Sequence, residues 1–246
     1  MVVSTLATAW KVIDFVPILY KEGYTVLDTK LQNIAKDISN LCIGVNSNLE
    51  LSKELAEAIG IELKKLGIEA VVYGTLDTLS KNDKEPLDKF STSPYITVKI
   101  LTLMAEGFAN AGVYPIVDGR GEINEEVIRN LISNKTYLPV FVENREKMET
   151  LKNLGYDTTF YSKDGPLYGK EITLNWTSSK TYDMRELRNK LLKGSVVILN
   201  PRGRGVAIND PKSNAKVLIF STDAWLLDLA KEVEAGKEPA TGRRVW

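Results

Sequence analysis

Histidine is absent from the 246 residues, which removes the commonest general base, the usual zinc ligand and every Ser-His or Cys-His nucleophile system. Chemistry must rest on carboxylates, lysine or tyrosine. The single cysteine, Cys42, stands in the apolar run LCIGV. A lone thiol there reads as core filling and supports neither a disulfide framework nor a thiolate metal cluster. No cofactor and no metal are indicated. Three short stretches carry the remaining reactive groups. LGYDTTFYSKDG, 154 to 165, reads as a helix end, a short strand and a sharp turn that brings Lys163 and Asp164 to one edge of a sheet. PIVDGRGE offers Asp118, Arg120 and Glu122 after another strand; Glu122 can equally be a charge at the start of the helix INEEVIRNLI. SVVILNPRGRGVAIND places Arg202, Gly203 and Arg204 directly after a late strand. Two cations with glycine freedom could hold an anion there. The loop is not a P-loop, because no Lys-Ser/Thr follows, and a solvated turn is the other reading.

Charge narrows the partners. With 32 basic and 32 acidic residues there is no net field to attract nucleic acid or an anionic membrane, so any charged site must be local. The start, MVVSTLATAWKVIDF, lacks a basic n-region and is interrupted by Lys11 and Asp14, so neither a signal peptide nor a membrane span is expected and the cytoplasm is the expected location. Abundant Lys, Glu and Ile beside a single glutamine, Gln32, fits a thermophile's composition.

The elements that must position these groups alternate along the chain. Strands are expected at 12–20, 69–74, 113–117, 137–142, 157–162, 171–175, 195–199 and 216–221. Between them the apolar residues recur at three- and four-residue intervals. In NLELSKELAEAIGIELKKLG, Leu51, Leu55, Ala58, Ile59, Leu63 and Leu66 form one stripe, and Gly67 closes the helix. YITVKILTLMAEGFANAG and NREKMETLKNLG also end at glycine. Helix, glycine, then strand is the order of βα units around a parallel sheet. Eight strands predict a TIM-like (β/α)8 barrel, α/β in class, irregular or incomplete near the N-terminus, as one domain over 1–246; an open doubly wound sheet is the other arrangement. The polar segment 82–94, NDKEPLDKFSTSP, follows a strand at the presumed active face, where long loops are often functional.

Several segments occur in an order known from one family. LGIEAVVYGTLDT and PLDKFSTSPYITVKILTLMAEGFANAGV resemble the family 3 glycoside hydrolases, most closely the branch with β-N-acetylhexosaminidases, whose barrel carries "LGIN-strand-P-x-x-D", "RSFGSDP" and a helix ending "G-x-x-x-AGV". LYKEGYTV is similar to the "IDQEGG" strand end, PIVDGRGE to "KHFPGHG", LGYDTTFYSKDG to "LGFDGVVFSDDL", and GKEPATGRRVW to a closing "G-x-x-P-x-GRLPV". The resemblance covers most of the chain in collinear order.

It implies a sugar-binding barrel whose reactive positions have changed. Retaining glycosidases need a carboxylate nucleophile and an acid about 5 to 5.5 Å apart. Carried over residue by residue, the nucleophile position falls on Lys163, followed by Asp164. An ammonium cannot form the glycosyl ester and repels a developing oxocarbenium ion. A second placement, on KTYDM, puts that position on Tyr182, followed by Asp183. The sugar-binding aspartate corresponds to Tyr20, with Glu22 kept, and the family arginine corresponds to Lys89. Asp77 matches an aspartate that can serve sugar binding or cap its own loop. Asp118 and Arg120 replace the proline and histidine of "KHFPGHG". The expectation is a degenerate, non-catalytic member that binds a carbohydrate or a partner protein. One alternative is an active β-glycosidase using Asp164 or Asp183 with Glu122; the other is a binder of a sugar phosphate or similar metabolite through the Arg202–Arg204 loop.

Overall fold

The computed structural model describes residues 18–19, 25–35, 37–163, 165–168, 180–199 and 216–243. Strand β1 (Ile18–Leu19) is followed by β2 (Thr25–Asp28), the short helix α1 (Leu31–Ile34), α2 (Asn40–Val45) and α3 (Glu50–Lys65). Three strand-helix alternations follow: β3 (Ala70–Tyr73) and α4 (Pro94–Asn110), β4 (Tyr114–Asp118) and α5 (Glu125–Ser133), β5 (Val140–Phe141) and α6 (Arg145–Asn153). The remainder is β6 (Phe160–Ser162), β7 (Gly165–Tyr168), α7 (Met184–Gly194), β8 (Val197–Leu199), β9 (Lys216–Leu218) and α8 (Ala224–Glu234).

Strands β2 to β6 pair in parallel and in sequence order, forming a five-stranded half-barrel flanked by helices. Short polypeptide logic explains the helices. Ser93, Asn124 and Asn144 each accept backbone N–H groups at the starts of α4, α5 and α6, satisfying donors that have no partner inside the helix. Gly67, Gly112 and Gly155 follow the ends of α3, α4 and α6 with φ of 76°, 72° and 86°, the left-handed stop that glycine adopts without penalty.

Alternation along each strand sorts the side chains into two layers. Val26, Ala70, Val72, Ile116, Phe141 and Tyr161 form a buried cluster on one face. Leu27, Val71, Tyr73, Val117, Val140 and Phe160 join the helices in a larger core that also takes in Leu187 and Leu191 of α7 and Leu226 of α8. In that outer layer α3 and α4 touch almost backbone to backbone: a Cβ on Gly107 would lie 2.3 Å from the Lys53 carbonyl and 2.8 Å from the Ala56 Cβ. No helix among the described residues is long and apolar enough to cross a membrane.

A closed barrel of eight strands is not what the described residues form. The run expected at 12–20 is described as a strand only at β1, which pairs antiparallel with β2, and 171–175 lies outside the described residues. The two runs near the C-terminus pair with each other, β8 with β9, as an antiparallel ribbon apart from the main sheet. A short apolar run fixes that a strand forms but not its direction, which depends on the connection. Strands β2 and β7 fall where none was expected; β2 has only four residues with polar ends, TVLD, and β7, GPLY, contains a glycine and a proline.

Candidate functional site

The period of two that puts Val26 and Ile116 on one face of the sheet carries on to Asp28 and Asp118, the last residues of β2 and β4. Both carboxylates therefore stand at the C-terminal edge of the strands. Two residues further, Arg120 closes the gap between them. Its Nη1 and Nη2 donate to the two oxygens of Asp28 at 2.6 and 2.7 Å. Its Nε and Nη2 donate to Asp118 at 2.9 and 2.8 Å. The guanidinium lies over the Phe141 ring, 4.8 Å from its centroid, a favourable place for a flat cation. Gly119 makes this turn possible: a Cβ there would meet Val140 Cγ1 at 2.5 Å. The hydrogen bonds to Asp118, followed by those to Asp28, drive the Arg120 pKa up against the opposing effect of burial, so the guanidinium stays charged.

A cleft of about 540 Å³ opens beside the clamp, between the ends of β2 to β4, α1 and a 3-10 turn at Pro86–Asp88. Lys30 on one wall donates to Asp88 at 2.6 Å and Glu85 at 3.2 Å on the other. Gln32 Nε2 adds a bond to Asp88 Oδ1 at 3.2 Å, and Asn40 Nδ2 donates to the Asp88 carbonyl at 2.8 Å. The Asp88 hydrogen bond comes first among the effects that raise the Lys30 pKa. For Asp88, burial alone would raise the pKa, and the hydrogen bonds from Lys30 and Gln32 outweigh it, leaving the carboxyl below its ordinary value. Lys89 also lines the cleft and pairs with Asp77 at 2.5 Å. Asp77 accepts from the Thr78 N–H at 2.8 Å as well, so it serves both the local turn and the lysine.

Of the residues singled out by sequence, Lys89, Asp118 and Arg120 line the cleft, and Asp77 sits behind Lys89. Lys163 is exposed in the turn after β6, at the same edge of the sheet but outside the cleft lining. Both oxygens of Asp118 are engaged by Arg120. Glu122 is exposed, two residues before the α5 cap Asn124, and outside the lining. Asp183 caps α7, accepting from the N–H groups of Arg185 and Glu186 at 2.9 and 3.0 Å. Its neighbour Tyr182 donates its hydroxyl to Glu57 Oε2 at 2.9 Å on α3. Burial first, and the Glu57 hydrogen bond second, push the Tyr182 phenol above its ordinary value. Tyr20, Glu22, Asp164, Arg202, Gly203 and Arg204 lie outside the described residues. No cluster of metal-ligating side chains occurs among the described residues.

Asp28, Lys30, Gln32, Asn40 and Asp88 were not singled out. The strand beside β3 ends in the carboxylate of Asp28. The polar segment 82–94, expected to be functional from its length and its place after a strand, supplies Glu85, Asp88 and Lys89 to the cleft.

No protein-family model matches the chain, and no curated protein does either. Solved structures are similar to part of it, and three illustrate the likeness. Zinc-bound CbsA from Thermotoga neapolitana is 15% identical with a TM-score of 0.43, over 56% of this chain and 41% of that one. A glycosyl hydrolase of the GH3 family from Mycobacterium smegmatis is 11% identical with a TM-score of 0.44, over 69% and 64%. LpqI from M. tuberculosis is 15% identical with a TM-score of 0.44, over 69% and 63%. The chain thus spans less than two thirds of the length of each.

Proposed function

We propose that the cleft binds a neutral polyhydroxylated ligand, a carbohydrate in keeping with the family 3 resemblance of the sequence, and does so without covalent glycosyl chemistry. The Arg120 clamp carries this reading. Two carboxylates and a guanidinium held edge to edge set acceptors and donors side by side, and a sugar hydroxyl, which both donates and accepts, matches such a row. Among the described residues the cleft lining holds three cations, Lys30, Lys89 and Arg120, against four carboxylates, Asp28, Glu85, Asp88 and Asp118. All three cations are already paired. A phosphate dianion would have to break one of these pairs and face an excess of negative charge, which favours an uncharged sugar over a sugar phosphate.

Cleavage has less support. The position that matches the family nucleophile is a lysine, Tyr182 is held protonated by burial and Glu57, and Asp183 is committed to a helix cap. The carboxylates that do face the cleft are engaged by Arg120 or Lys30. An attacking or protonating carboxyl would first have to be released from such a partner.

The test is titration calorimetry and thermal unfolding with methyl β-D-glucopyranoside and N-acetylglucosamine, alongside incubation with their nitrophenyl β-glycosides. We expect binding without turnover; a sugar at a hundred times its Kd stabilises by about 2.7 kcal/mol. Absence of binding across the panel overturns the reading. So does hydrolysis above buffer that disappears on replacing Asp164, Asp183 or Glu122.

A further inference from the structure

We propose that residues 80–88 form a strap along one wall of the cleft and that Lys30, on the other wall, is its clasp: an ion pair that opens and closes to govern access. This adds regulation to the same cleft, and only its ligand measurement rests on the carbohydrate reading.

The two walls are anchored differently. On the side of Lys30 and Gln32, the neighbouring Ile34, Ala35 and Ile38 are sunk in the core. On the other side the connection from β3 to α4 is fixed at its base. Leu76 and Phe90 are fully buried, the Leu79 N–H donates to the Ser91 carbonyl at 2.9 Å, and Lys89 holds Asp77. Phe90 packs so closely on α2 that a Cβ on Gly44 would fall 1.6 Å from its carbonyl oxygen. Between these fixed ends, residues 80–88 bury no side chain. Inside the strap Asp83 accepts from the N–H groups of Ser80 and Glu85, but at 3.4 Å each, the long end of the hydrogen-bond range. A segment without apolar anchors between rigid ends is the kind that opens at low free energy.

The side-chain bonds from the facing wall to the strap converge on its last turn. Asn40 Nδ2 holds the Asp88 carbonyl at 2.8 Å, and Gln32 Nε2 reaches the Asp88 carboxylate at 3.2 Å. Lys30 takes the outermost place, bonding Asp88 at 2.6 Å and Glu85 at 3.2 Å. The Lys30 side chain is 49% exposed, Glu85 66% and Asp88 22%. An ion pair this open is weakened by dissolved salt and adds little to global stability, which suits a contact that breaks and re-forms. Because it joins residues that line opposite sides of the cleft, its opening frees the strap without disturbing the core-anchored wall.

The experiment is amide hydrogen exchange in the ligand-free chain, read at the Asp83 and Asp88 N–H groups, which donate to the Ser80 and Glu85 carbonyls at 3.3 and 3.1 Å, and compared with amides of β3 and α4. It is run at about 10 mM and about 1 M NaCl, between which the screening length falls from about 30 Å to about 3 Å. We expect strap exchange, relative to β3 and α4, to rise about two- to fivefold with salt, and by a similar factor at low salt in Lys30→Met, with no further response to salt in that variant. Lys30→Arg, which keeps the charge, should restore the slow exchange and its salt response. Strap exchange indifferent to both salt and Lys30→Met overturns the inference. So does a rise shared equally by β3 and α4, which marks general loosening. Saturating methyl β-D-glucopyranoside should slow strap exchange below the ligand-free rate. Calorimetric binding of the glycoside without that slowing overturns the strap alone; absence of binding counts against the carbohydrate reading, and the ligand-free salt and Lys30 results then decide the clasp by themselves.

Discussion

Among the described residues two arginines, Arg120 and Arg188, are each held between two aspartates, and their settings differ. Arg120 joins Asp28 and Asp118 at the end of the parallel sheet, its side chain 33% exposed beside the cleft. Arg188, in α7, donates to Asp223 at 2.7 Å and to Asp37, with Ser221 Oγ at 3.3 Å, and its side chain is 8% exposed. The chemistry is the same and the roles separate by solvent. Arg188 ties the turn before α2 to the start of α8, three segments far apart in sequence, and has no room for a ligand. Arg120 ties β2 to β4, and both of its aspartates line the cleft. The buried pair fastens distant segments, while the half-open one stands beside a cleft.

The largest effect that could break this distinction is on stability. Arg188→Leu leaves Asp37 and Asp223 facing a position without charge, and losing one partner of a buried ion pair typically costs about 3–5 kcal/mol. Denaturant unfolding should show a loss near the lower end of that range, because the aspartates are partly exposed; a loss below about 1 kcal/mol would put Arg188 in the same class as Arg120. Next, Arg120→Lys keeps the charge and removes the two-pronged contacts. Sugar affinity should fall by about tenfold or more in calorimetry, while stability changes by less than about 1 kcal/mol, given the solvent screening of a third-exposed group. An affinity that holds while stability drops would reverse the assignment. The smallest effect is in the pH profile. The hydrogen bond from Arg188 lowers the Asp223 pKa below its ordinary 3.8. That contribution is present above the unfolded value and lost as pH falls through the folded one, so it belongs to the acid limb. Lys30 is raised above its ordinary 10.5, chiefly by Asp88; its contribution is present below the unfolded value and lost as pH rises through the folded one. Arg188→Leu should flatten the acid limb of stability against pH and leave the alkaline limb unchanged, whereas Lys30→Met should flatten the alkaline limb and, through the loss of its bond to Asp88, part of the acid limb as well.

How much of this was legible depended on range along the chain. Helices α3, α4 and α6 and strands β3, β4 and β6 follow from local periods of 3.6 and 2 and from the glycines that stop the helices. Asp118, Arg120 and Lys89 could be singled out because they sit in segments with recognisable neighbours. Asp28 could not: it ends a four-residue strand, and its partner Arg120 is 92 positions away. Asn40 gives no local signal either, since its contact is the Asp88 carbonyl 48 positions away. The expectation of eight barrel strands went astray at the C-terminal runs, whose apolar content is correct for strands while their mutual antiparallel pairing depends on a connection no periodicity encodes.

The near-contact of α3 and α4 at Gly107 reaches beyond packing. Because α3 leads into β3 and α4 into β4, the bare backbone at that crossing gauges, from the outermost layer, how closely the strand ends beside the cleft can gather. Bulk added there would act as a wedge between the two helices, and the cleft would widen although Gly107 is not part of its lining.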